Sequence, residues 1–221
     1  MPAPDLPAPV LGLRETKRRE AMGHIQRVAL DLFDARGYAA VTVEEIAATA
    51  RVAPRTVYRY FGTKDGILLT QPEDDDMAAV LAGAVAREDV LDAVRALVPA
   101  FTTAEFADPH GYWARVMGYV GTVPELTRAF AVAALEIGDG LAAAQATARG
   151  LAPDDLVARV RARAVVVALA AALGDWYAHP EGGAGEHADR MAERMHRALD
   201  ALDGEPRSAR PGTGSERVGE P

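Results

Sequence analysis

The sequence predicts an all-α protein of about nine helices, a small basic N-terminal unit followed by a larger acidic helical bundle. Three observations predict it. Apolar residues recur at three- and four-residue spacings almost without interruption, and no segment shows the alternation of a half-buried strand. Helix breakers fall at Pro72, Asp108-Pro109, Pro124, Gly150 with Pro153, and His179 to His187, cutting the chain into helix-sized pieces. The 221 residues are 49% hydrophobic, enough for one sizeable core or for a small domain joined to a larger one.

Ile25, Val28, Ala29, Leu32 and Phe33 share one face of a first helix expected over Arg14 to Arg36, and Gly37 stops it. Thr42 followed by Glu45 is a capping box, opening a two-turn helix with Val43, Ile46, Ala47 and Ala50 inward. Pro54 suits the first position of a third helix, because its φ is already helical and its missing N–H has no partner there. Val57, Tyr58 and Phe61 are its expected inner face. Gly62-Thr63 ends it, and Thr63 can cap a fourth. Further helices are expected over Asp75 to Ala86, Glu88 to Glu105, His110 to Val120, Pro124 to Arg149, Pro153 to Ala178 and Glu186 to Leu202. The expected divisions are a disordered arm at 1–13, a helix-turn-helix unit at 14–69, a helical domain at 70–203 and a disordered Gly/Pro-rich tail at 204–221.

The formal net charge is -8, unevenly placed. From Arg14 to Lys64 there are ten Lys/Arg against six Asp/Glu, and from Asp65 onward fourteen against twenty-five. A basic quarter on an acidic body implies a local polyanion-binding surface. Cysteine is absent, which excludes thiolate chemistry and disulfides, and the only serines, Ser208 and Ser215, lie in the tail. No apolar run reaches membrane-spanning length without a charge or breaker, and MPAPDLPAPV has no signal-peptide pattern. A cytoplasmic protein with no membrane association is expected.

Two short helices joined by a three-residue turn form a helix-turn-helix. With Val57, Tyr58 and Phe61 inward, Arg55, Thr56, Arg59 and Tyr60 face outward with no acid among them. Arginine pairs bidentately with guanine O6 and N7, threonine meets a thymine methyl or a phosphate, and tyrosine hydroxyls bond phosphate. Lys64 falls in the first turn of the fourth helix, where a cation opposes the helix dipole; a DNA phosphate bound there would reconcile the two. Thr42 is a helix cap that can also donate its hydroxyl to a phosphate.

The stretch GYAAVTVEEIAATARVAPRTVYRYFGTKDGIL, Gly37 to Leu68, resembles the DNA-binding segment of the TetR family of bacterial transcriptional regulators. The matching features are the Gly-aromatic pair 37 and 38, Thr42 before a short IA-containing helix, Thr56-Val57-Tyr58, Tyr60-Phe61, and Lys64 two residues after Gly62. Two positions depart from it: the usual turn glycine is Arg51, held left-handed at a cost of about 1 kcal/mol, and the usual hydroxyl cap of the third helix is Ala53, forgoing about 1 kcal/mol. The resemblance implies DNA contacts from Thr42, Arg55, Thr56, Tyr58, Arg59, Tyr60 and Lys64, with Arg14 to Arg19 as a basic arm along the backbone. It further implies a homodimer on a palindromic operator, a small-molecule effector bound by the remaining helices, no cofactor, and a repressor that the effector releases from DNA.

The rest of the chain is read against those implications. Ala164, Ala168, Ala171 and Ala172, with Ala188, Met191, Met195, Ala198 and Leu202, give the last two helices small or apolar stripes suited to a four-helix dimer interface. Large side chains gather in the middle, and Phe101, Tyr112, Trp113, Met117, Phe130 and Trp176 are the candidate pocket residues. Tyr112 to Leu151, with Gly174-Asp175-Trp176, is loosely similar to a subgroup associated with acyl-CoA-like ligands, for which Arg115 or Arg128 would meet an anionic head group. The competing readings are a helical, metal-dependent enzyme and a ligand-independent architectural DNA-binding protein. Against the first, Glu193 and His196 form a single E-x-x-H pair where a bundle dimetal site needs two. Glu73 to Asp76 lacks calcium-loop spacing, Gly182 to Gly185 lacks the phosphate-loop Lys-Ser/Thr, and no enzyme is expected.

Overall fold

The computed structural model describes residues 12–72, 74–183 and 185–203, and among these it is helical with no strand. The elements are α1 (Leu13–Arg36), a 3-10 turn (Tyr38–Ala40), α2 (Val43–Thr49), α3 (Pro54–Phe61), α4 (Gly66–Leu69), α5 (Asp74–Val85), α6 (Val90–Phe101), α7 (Ala104–Ala107), α8 (Tyr112–Thr122), α9 (Pro124–Arg149), α10 (Leu156–Ala178) and α11 (His187–Asp200). Nine of these helices have seven residues or more, and α4 and α7 have four each. The expected disorder at 1–13 and 204–221 concerns residues outside those described, except that Gly12 and Leu13 cap and open α1.

Local signals account for most boundaries. The α2 capping box is formed in both directions, Thr42 Oγ1 accepting from Glu45 N–H and the Glu45 carboxylate accepting from Thr42 N–H at 2.8 Å. Arg51 stands at φ 57, the only non-glycine residue with positive φ among those described, and Ala53 makes no side-chain cap. The helix expected over Glu88 to Glu105 divides instead at Thr102, and Thr103 caps α7 through Phe106 N–H. Pro99 lies inside α6, where it leaves the Arg95 carbonyl without its helical donor. His196 Nε2 lies 3.3 Å from that carbonyl, and its Nδ1 lies 2.8 Å from Ala192 O. The histidine of the E-x-x-H pair is therefore occupied by backbone, and no metal-binding cluster occurs among the described residues.

Packing forms two apolar cores. One gathers Ile25, Ala29 and Phe33 of α1 with Ile46, Val57 and Phe61, and draws in Val116, Met117 and Val120 of α8 and Leu126 of α9. The other joins α6, α9, α10 and α11 around Trp176, Met191 and Leu199. On the last helix Met191, Met195 and Leu199 are buried within their own subunit, while Leu202 of the expected interface stripe is 42% exposed. Further outward apolar residues are Val132 and Leu135 on α9 and Val157, Val160 and Val167 on α10, all 40% exposed or more. The helices α9 and α10 approach so closely that a Cβ on Gly138 would lie 2.9 Å from Arg163 Cα. By length and composition α9 is apolar enough to cross a membrane; it is nevertheless packed on α5, α8 and α10.

Candidate nucleic-acid interface and the cavity behind it

The third helix presents its polar residues as its short length dictates. Val57 and Phe61 are buried and Tyr60 is half-buried against the same core, an i, i+3, i+4 set. Tyr58 is turned outward, 46% exposed, with its hydroxyl donating to Glu44 on α2 at 3.3 Å. This corrects the inward face expected for Tyr58 and outward face for Tyr60: 57, 58, 61 and 57, 60, 61 cover equally narrow arcs of a helix, and packing on the α1 core selects the second. Arg55 and Arg59 are exposed and Thr56 half-buried. Arg59 lies over the Tyr60 ring at 4.8 Å, and the first turn of α3 contains no acid. The arrangement offers two guanidinium forks and a phenol on one exposed face, a set that can read base edges and grip phosphate.

Thr42 and Lys64 have employment of their own. The Thr42 hydroxyl donates to Glu45 at 3.1 Å, and Arg36 braces the same carboxylate at 2.8 Å, so Glu45 is held below its ordinary pKa by the Thr42 backbone N–H and then by Arg36. Lys64 precedes α4, whose first turn is tied by Thr63 Oγ1 accepting from Gly66 N–H. Its ammonium donates to the Tyr38 carbonyl and sits over the Tyr38 and Phe33 rings, 4.1 and 5.6 Å from their centroids. Burial pushes its pKa down, against the pull of Asp65. A lysine in this sequence position is thus explained within the protein as well as by phosphate. Arg14 to Arg19, expected as an arm, are the first turns of α1, and Arg19 pairs with Asp76 at 2.7 Å.

A cavity of about 710 Å³ lies between α1, the segment after α4, α5, α6, α7 and α8. Phe101, Tyr112 and Trp113 line it, joined by Phe106, Met77 and Pro72 and by polar Gln26, Arg27, Gln71 and Glu105. The other three candidates are placed elsewhere. Met117 is buried in the core around α1 and Phe130 packs on that core, while Trp176 is fully buried and donates its indole N–H to Ala107 O. The α1 and linker residues had no local sequence signal, because the cavity closes only when segments some eighty residues apart meet.

The helix lining the cavity also grips α1. Arg115 pairs with Asp31 and Asp34 at 2.8 and 2.7 Å, and Tyr119 donates to Asp34 at 2.7 Å. Arg115 is therefore committed to α1 rather than presented to a ligand head group, and Arg128, exposed on α9, lies 4.0 Å from Glu125. Gln26 completes the junction by donating to the carbonyls of Ile67 and Thr70.

Residues 25–70 match the profile described as bacterial regulatory proteins, tetR family, and residues 88–200 match the MftR C-terminal domain, a TetR C-terminal profile. The HTH-type transcriptional regulator TcmR of Streptomyces glaucescens is 42% identical over 71 residues, 32% of this chain and 31% of that protein. BetI of Rhizobium meliloti, also an HTH-type transcriptional regulator, is 34% identical over 94 residues, 39% of this chain and 44% of that one. The chain thus spans less than half the length of these curated relatives. A solved structure of Thermus thermophilus FadR, a TetR family transcriptional repressor in complex with lauroyl-CoA, is 22% identical, covers 87% of this chain and 99% of its own, and superposes with a TM-score of 0.49. That likeness is too loose to bear on the ligand.

Proposed function

The chain belongs to the TetR family of bacterial regulatory proteins, and from that premise we propose that it is a cytoplasmic, homodimeric, effector-released repressor of transcription with no catalytic role. The observation that carries the reading is the exposed, acid-free face of α3, which shares its core with α1, the helix that also walls a cavity. Arg55 and Arg59 read bases, Thr56 and Tyr58 contact base edges or phosphates, Tyr60 supports them from the core side, and Thr42 and Lys64 meet phosphates beside their structural duties. Two such faces need half-sites about 34 Å apart, or a multiple of it, so the operator is palindromic. A second copy of the chain meets the first across α9 and α10, where the apolar residues are left outward.

The effector occupies the cavity, whose volume suits a drug-sized molecule. Its aromatic lining suits an apolar body, and Arg27, exposed at the wall, suits an anionic end. An acyl-CoA-like compound satisfies that description, with the acyl chain inside. Occupancy favours a dimer in which the two α3 helices are wrongly spaced, and DNA is released by population shift. Selection of bound sequences from random DNA tests the reading. A palindrome is the expected result, and Arg55→Ala should relax base preference within it. Recovery of no common sequence would leave the architectural alternative standing.

A further inference from the structure

We propose that the effector carries a carbonyl acceptor, and that Tyr112 is the residue that reads it by donating its hydroxyl. This rests on the cavity being the effector site. Among the described residues only two buried side-chain polar atoms lack a hydrogen-bond partner, Arg95 Nε and Tyr112 Oη. Arg95 is otherwise well supplied, its other nitrogens holding Asp92, Asp200 and Asp203. Tyr112 Oη has no acceptor for its proton. Gln71 lies alongside as a donor and draws its pKa down, which leaves that proton unplaced, and Gln71 itself donates to Leu68 O. Burial pushes the phenol up to about 12, so at neutral pH it is a donor in need of an acceptor. A buried hydroxyl left unpaired is costly, and native proteins keep few of them.

The surroundings define what that acceptor is attached to. Trp113 stands edge-on to both Tyr112 and Phe106, with ring centroids 5.6 and 5.1 Å apart, and Phe101 completes the wall. A flat or extended apolar body fits there, with its carbonyl directed at Tyr112. The hydroxyl is closed off from solvent in the free protein, so an acceptor reaches it by parting Tyr112 from Gln71. Gln71 follows Thr70, whose carbonyl is held by Gln26 of α1, and Tyr112 precedes by three and seven residues the Arg115 and Tyr119 that grip α1. The carbonyl therefore acts at the point where the effector helix and the chain leaving the reading head meet.

The test uses matched pairs differing only in the carbonyl: flavone and flavan, benzophenone and diphenylmethane, 2-undecanone and undecane. Binding is read from quenching of Trp113, with a Trp113→Phe protein giving the background from Trp176. In the unaltered protein the carbonyl member of a pair should bind about tenfold more tightly than its partner. In Tyr112→Phe the two should bind alike, while the unliganded variant melts no lower than the parent because an unpaired buried hydroxyl has been removed. A carbonyl preference that survives in Tyr112→Phe, or none in the unaltered protein, would overturn the assignment of Tyr112 while leaving the cavity as the site. Failure of both members of every pair to bind would overturn the cavity itself, and the inference with it.

Discussion

Replacing Lys64 with methionine separates the two duties assigned to that side chain. Methionine keeps the stem length and its packing over Phe33 and Tyr38, and removes only the charge and its bond to the Tyr38 carbonyl. A half-exposed hydrogen bond from a charged donor contributes about 1.5 kcal/mol, and the ring contacts about 0.5 kcal/mol more. The desolvation that lowers the lysine pKa works the other way and is relieved by the substitution. The balance is a loss of about 1 kcal/mol, or a fall of about 2–4 °C in melting temperature for a chain of this size. Against the selected operator, fluorescence anisotropy at several salt concentrations should show weaker binding to all sequences alike, with the logarithmic salt slope reduced by about one. A variant as stable as the parent would refute the ring-and-carbonyl account of Lys64. An unchanged salt slope would refute its phosphate contact, and each result stands without the other.

Thr42→Ala should cost about 1 kcal/mol in chemical denaturation, with Thr42→Ser close to the parent, because one half of the capping box depends on that oxygen. The acid side of the stability profile is set by carboxylates held low in the fold, Glu45 by Thr42 and Arg36 and Asp139 by Arg163. A folded pKa below the unfolded one gives stabilisation that is complete above the ordinary values of 4.5 and 3.8 and is lost as pH falls through the folded values. Melting temperature should therefore decline below pH 4.5, and Glu45→Gln should flatten that decline.

The legible parts of the molecule were those written in local chemistry. The capping box, the proline opening α3 and the full extent of α9 each follow from a few adjacent residues, whereas the left-handed Arg51 followed from the resemblance to the TetR pattern. Tyr58 and Tyr60 exchanged faces because an eight-residue helix with one apolar pair leaves its rotation open to about one residue. The stripe on α11 was correctly seen as apolar, but periodicity cannot say whether a stripe packs on its own subunit or on another. The cavity was half visible: Phe101, Tyr112 and Trp113 stand out as large residues, whereas Gln26 and Gln71 gain their places only from tertiary contact. Arg115 looked free in sequence because Asp31 and Asp34 lie some eighty residues away.

The 24 residues of α1 run unbroken from the cavity wall at Arg19, Gly23, Gln26 and Arg27 to Phe33 in the core behind α3. From Gly23 to Arg36 this is a rod about 20 Å long, so a tilt of about 5° at the cavity end would displace the other end by nearly 2 Å, on the order of the helix shifts that switch proteins use. One consequence is genetic. A screen for variants blind to the effector and a screen for variants blind to DNA should both return substitutions in α1, because one helix reaches both the cavity and the core behind α3.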